Sequence, residues 1–324
     1  MSIGDMDRSA MLALGEVHTG LLQNSSALPP DRSETALALL LGERVRRSER
    51  PMAHAISPAA VTGVDCALAT RSGARTRAVG TALSHVSLTG GHVLQGSSRV
   101  QVVRSAEGRR LPWPHYLSRP GSVETIGRVA PADVAQGFVT GDQQVGTLDL
   151  AAVSGRLMDA VQRRAIPDRR PPFKMWRTRL RWVAVPSERA GPRVRFTVGE
   201  GPLRTVVIEA PAETLPHAAG LCEDLALHDW LLTSLLRIVE RSRIGALPRD
   251  EVVRRLAPAM DHLLHLWMPA ARIDRSLRSV WKRLERRPGF TRQWTATVDR
   301  VRDQVALSTI ALHGAAAELR VRSG

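Results

Sequence analysis

The chain has 324 residues, 43% of them hydrophobic and 24% charged, with a formal net charge of +15. That length suggests about two domains, each able to bury a core, and the apolar content excludes a chain disordered throughout. No stretch approaches the ~20 apolar residues of a membrane span, and no basic stretch with a long apolar run opens the sequence, so the reading is a cytoplasmic protein.

Of the 46 cationic side chains only Lys174 and Lys282 are lysines. So many arginines, with abundant Ala and Val, suit the codon bias of a high-GC genome. The surplus over 31 acids still gives the surface a positive field that attracts phosphates, acidic proteins or anionic lipid. Cys66 and Cys222 lie far apart in sequence and in no metal-spaced cluster. They read as reduced, buried thiols.

In chain order, Met1 to Ser9 reads as a frayed tail, Met11 to Leu22 as a strand, and Arg32 to Leu41 as a helix capped by Asp31. An extended run with Pro51 and Pro58 follows. Val79, Thr81, Leu83, His85 and Ser87 alternate up to Gly90-Gly91, and Val100 to Val103 returns: a β-hairpin. Pro112, Pro114 and Pro120 around Trp113 and Tyr116 favour an ordered loop. Leu150, Val153, Leu157 and Val161 mark a helix over Leu148 to Ala165. Arg177 to Val185, Val194 to Val198 and Arg204 to Glu209 read as three strands of an antiparallel meander.

After Pro216 the pattern becomes helical, over His217 to Ser242, Pro248 to Trp267, Arg275 to Arg287 and Thr291 to Arg322. In the last of these Trp294, Val298, Val301, Val305, Ser308, Leu312, Ala315 and Leu319 form a heptad seam. It is either the packing face of a bundle or a self-associating coiled coil.

The positive charge is concentrated. Gln162 to Arg195 holds eleven Lys and Arg against two acids, and Arg272 to Arg292 holds eight against two, which together equals the surplus of the whole chain. Arg163, Arg164, Arg169, Arg170, Lys174, Arg177, Arg179, Arg181, Arg278, Lys282 and Arg286 are therefore the candidate anion or partner surface. Phe173, Trp176 and Trp182 among the first set suit phosphate contact with base stacking. A strand with arginines on its solvated face and tryptophan in the core explains the same pattern. No helix-turn-helix, zinc finger or RNP motif accompanies it.

Asp261, His262 and His265 fall within a helical turn, with His228-Asp229 on the preceding predicted helix, yet HExxH and ExxH arrangements are absent. Core or capping histidines explain them better than a metal. GxSxG and SxxK are absent as well. Asp65 beside Cys66 raises the thiol pKa instead of activating it. Gly199-Glu200-Gly201 and Gly90-Gly91 lack the lysine of a P-loop and read as turns. No catalytic, cofactor-binding or metal residue is assigned, and no cofactor.

Leu14-Gly15-Glu16-Val17, Ser57-Pro58 leading to Gly63-Val64-Asp65-Cys66, Leu111-Pro112-Trp113, Arg287-Pro288-Gly289-Phe290 and Ala311-Leu312-His313-Gly314-Ala315-Ala316 together resemble an uncharacterised family of cytoplasmic proteins from Streptomyces and related actinobacteria. The resemblance covers essentially the whole chain and implies no catalytic residue. It does imply a genomic setting among other uncharacterised proteins, including a variant P-loop protein, and hence a component of a multi-protein assembly.

The expected fold is α+β, with a β-rich region over 1–145, a helix plus meander over 146–215 that is either continuous with it or separate, and a helical bundle over 216–324. The expected function is a non-catalytic interaction or scaffold component that binds other proteins of its assembly, or itself through Trp294 to Leu319. The alternatives are a nucleic-acid-binding protein using 163–181 and 272–292, and an enzyme acting on a phosphorylated small molecule. The first alternative requires those two runs to merge into one positive face. The second requires a pocket of convergent arginines with a base.

Overall fold

The computed structural model describes residues 10–39, 44–140, 145–189, 191–199 and 201–322, with side chains to residue 311. The tail Met1 to Ser9, Leu40 and Leu41 of the first expected helix, and the Leu312, Ala315 and Leu319 side chains of the seam lie outside that range. Within it the fold has a mixed sheet in the amino-terminal two-thirds and helices in the remainder.

The chain begins with β1 (Ala10–Leu21) and α1 (Pro30–Leu37), and continues through β2 (Arg46–Ser48), β3 (His54–Ile56) and β4 (Ala60–Leu68). The expected hairpin forms from β5 (Thr76–Thr89) and β6 (Val93–Arg104), turning at Gly90 and Gly91 with φ of 58° and 67°. That left-handed backbone is open to glycine at little cost. Then come α2 (Trp113–Leu117), β7 (Ser122–Ile126), α3 (Pro131–Thr140), α4 (Leu150–Gln162), β8 (Thr178–Pro186), β9 (Arg193–Val198) and β10 (Leu203–Ala210). The carboxyl-terminal helices are α5 (Ala218–Ser242), α6 (Arg249–His262), α7 (Arg278–Arg286) and α8 (Phe290–Arg322).

One ten-stranded sheet runs β2-β3-β5-β7-β6-β1-β8-β10-β9, with β4 on the same edge of β5 as β3. Three features depart from the sequence reading. α1 begins at Pro30 with Pro29 at its cap, so Asp31 lies inside the first turn and caps nothing. The prolines at 112 and 114 do not hold a loop but open α2, since the first turn of a helix has no use for their missing donors. The last three strands are not a meander: β10 lies between β8 and β9, parallel to the first and antiparallel to the second. The connection through β9 therefore reaches past the place that β10 later fills.

The hairpin does not stay closed along its length. From Leu83 and Arg99 to the turn, β5 and β6 pair directly, but farther out β7 enters between them, with Val123 opposite Gly80 on one side and Val102 on the other. A Cβ on Gly80 would stand 2.1 Å from the Ser122 carbonyl oxygen, so the close approach of β7 requires glycine there.

Alternation along β1 sorts the core into two faces. Ala13, Val17 and Leu21 join α5, α6, α7 and α8 on one face, whereas Leu12 and Leu14 join Val134 and Phe138 of α3 on the other. On that second face α4 and α1 cover the hairpin end through Met158, Val161, Ala36 and Leu37. The helices after residue 217 thus pack on the sheet as well as on one another. Of the heptad seam, Trp294 and Val301 are buried, and Trp294 stacks on Trp267 at 4.2 Å. This half of the seam faces inward. No helix of the described residues is long and apolar enough to cross a membrane.

Candidate functional site

β8 is a central strand, so both of its faces are covered and every arginine on it needs an internal partner. Glu16 of β1, 1% exposed, supplies one for two of them. Arg181 donates to Glu16 Oε1 at 2.8 Å and to the Phe138 carbonyl at 2.9 Å, and Arg179 donates to both Glu16 oxygens, through Nη2 at 2.8 Å. Arg177, just before the strand, donates to Asp159 of α4 at 2.9 Å. Beside them His18 Nδ1 lies 3.0 Å from the Ser154 hydroxyl, and burial lowers the His18 pKa to about 4.

The rest of the first basic run lies along the loop that follows α4. Arg164 donates to the Ala38 carbonyl, Arg169 is held by its backbone amide on Gln23, and Arg163, Arg170 and Lys174 are exposed. Its aromatic residues are divided: Trp182 is in the core, Phe173 packs against it, and exposed Trp176 is covered by Arg237 of α5 at 3.7 Å.

The second run behaves differently. α7 buries Val280, Trp281 and Leu284 against the sheet, which leaves Arg278, Lys282, Arg283, Arg286 and Arg287 exposed. Arg283, Arg286 and Arg287 face the outermost strand β9, where Arg193 and Arg195 are exposed while Val194 and Phe196 turn to the core. Together with Val207 and Glu209 of β10 they line a groove of about 520 Å³. None of the five groove arginines makes an ion pair or side-chain hydrogen bond among the described residues. Glu209 is the one acid in the lining, and its ion-pair partner is Arg189 at 3.9 Å. Of the eleven cations singled out from the sequence, Arg286 lines this groove. Arg193, Arg195, Arg283 and Arg287 were counted in the charge but not chosen. What could have found them is the alternation Arg193-Val194-Arg195-Phe196, the pattern of a half-buried edge.

The fold sends His228 and His262 of the metal candidate to different neighbours. His228, fully buried on α5, has its Nδ1 2.7 Å from the Asp224 carbonyl and sits against Trp267 and Trp281. Asp229 pairs with Arg204 at 3.1 Å, and burial raises its pKa to about 6 against the pull of that guanidinium. His262 instead meets His92 of the hairpin turn, Nδ1 to Nε2 at 3.1 Å. Among the described residues no group of three or more His, Cys, Asp or Glu is placed to hold a metal.

A polar interior lies where α5 crosses the hairpin. His85 Nε2 stands 3.2 Å from Glu223 Oε1, and Gln95 donates to the Glu223 carbonyl and to Thr19. Burial would raise the Glu223 pKa, but His85, Ser97 and Arg99 outweigh it and hold the carboxyl at about 2. Burial, with Arg272 adding to it, lowers His54 to about 3. Both cysteines are free, and burial pushes Cys66 up to about 11, with Asp65 adding to the shift. Neither a family model nor any curated protein or solved structure matches the chain.

Proposed function

We propose that the chain is a non-catalytic interaction component of a cytoplasmic assembly, and that the groove between β9 and α7 is where it takes an anionic partner. One observation carries the reading: five arginines line a single groove with no ion pair of their own among the described residues and with Glu209 the one acid beside them, while those of β8 are held by Glu16. Arginine free of internal partners presents planar forks suited to carboxylate or phosphate. The scaffold role agrees with the assembly setting that the family resemblance implies. The nucleic-acid alternative draws less support, since it needed 163–181 to join 272–292, and the arginines that do converge come from 193–195 and 283–287.

The test is fluorescence titration of the protein with poly-glutamate and with a generic single-stranded oligonucleotide, from about 50 to 200 mM salt. At least one polyanion binds at low salt and weakens as salt rises, and Arg193→Ser with Arg195→Ser and Arg286→Ser removes most of that binding. Absence of binding to both at low salt would sink the proposal, as would binding unchanged in the triple variant.

A further inference from the structure

The groove runs along a sheet edge, and this determines what kind of anion fits it. β9 pairs with β10 on one side and has no strand on the other among the described residues. Which of its backbone groups face outward follows from one bond. The Gly199 amide donates to the Leu203 carbonyl, so that pair is hydrogen-bonded, and antiparallel alternation makes Thr197, Arg195 and Arg193 the bonded positions farther along. Val194, Phe196 and Val198 therefore turn their N–H and C=O groups to the open edge. Three successive rungs spaced two residues apart are what an added strand pairs with.

The charges sit on both sides of the same edge. Val194 and Phe196 pack toward the helical face, so Arg193 and Arg195 project from the opposite face, while Arg283, Arg286 and Arg287 approach from α7 on the helical side. Successive side chains of a strand laid along β9 point alternately to these two faces. Acidic residues at either parity thus meet guanidinium groups. A phosphodiester chain answers the arginines but has no amide ladder to offer the edge, whereas an extended peptide answers both. Pairing of β9 with β9 of a second copy would set like charges against each other, which disfavours self-association at this edge.

We propose that β9 receives an extended, acidic segment of a partner protein as an added strand, its backbone bonded to Val194, Phe196 and Val198 and its carboxylates held by the five arginines. This rests on the anion-binding reading of the groove. The probe is a short fluorescein-labelled peptide alternating glutamate with valine, titrated at about 50 mM salt. A control peptide is N-methylated on the alternate amides that would meet β9, and a single-stranded oligonucleotide serves as the rival anion. The labelled peptide binds, N-methylation weakens it by roughly tenfold or more, and amide exchange at Val194, Phe196 and Val198 slows on binding while that at Arg195 and Thr197 does not. Equal binding of the methylated peptide overturns the added strand. Binding of the oligonucleotide without the peptide overturns it too, but leaves the anion groove standing. Failure of both removes the groove as well.

Discussion

Arg179 and Arg181 sit on β8 with Glu16 between them, while Arg283 and Arg286 of α7 and Arg287 just after it stand beside a strand edge where the one carboxylate, Glu209, pairs with Arg189. Residue type and formal charge are the same in both places, so neither explains the different outcome. Position in the sheet does. β8 has neighbours on both edges and helices over both faces, so a cation there must be matched before the strand can be buried. β9 ends the sheet, and its arginines are exposed, where a cation needs no internal match. Clustered arginine is therefore informative about binding only after the sheet order is known.

The sharpest way to break the comparison is at Glu16. Glu16→Ala leaves Arg181 and Arg179 without their carboxylate in a buried setting, and the expected loss is about 3–5 kcal/mol. Urea denaturation measures it, and a loss under about 1 kcal/mol would mean that β8 arginines are solvated after all. Acid probes the same region. The His18 pKa is lowered to about 4, so between pH 6.5 and 4 the unfolded chain binds more protons at this group than the folded one. Stability contributed by neutral His18 is complete above pH 6.5 and is lost as pH falls toward 4, by about 3 kcal/mol at most. Denaturation midpoints at pH 7, 6, 5 and 4 follow this, and His18→Gln flattens the slope.

Arg237 over Trp176 is an intermediate case, a cation with an aromatic partner at the surface. Arg237→Ala should cost about 0.5–1 kcal/mol in the same assay. The smallest effect belongs to the groove. Arg193→Ser with Arg195→Ser and Arg286→Ser should leave stability within about 0.5 kcal/mol of the parent, while polyanion binding is lost. A large destabilisation by these three would place the groove arginines in the same class as those on β8.

Much of the fold was legible where periodicity is strong. β1, the β5–β6 hairpin, α4, β8, β9, β10 and the four late helices follow from alternation, from Gly90-Gly91 and from spacings of three and four. Short elements were not. β7 has five residues and is held by the two strands it separates, so nothing within Ser122 to Ile126 announces it. The order of β8, β9 and β10 was equally hidden, since three strands in sequence carry no mark of which pair is parallel. The candidate surface suffered for the same reason. The runs 162–195 and 272–292 were visible as charge, but Glu16, more than 160 positions before Arg179 and Arg181, cancels part of the first, and no local pattern relates them.

The fork in the hairpin makes its outer half depend on a third segment. The register that joins Leu83 to Arg99 would, if continued, set Gly80 against Val102. Val123 occupies that place instead and pairs with both. Gly80 leaves room for it to enter. The outer ends of β5 and β6 are thus joined through Ser122–Ile126, five residues that belong to neither strand.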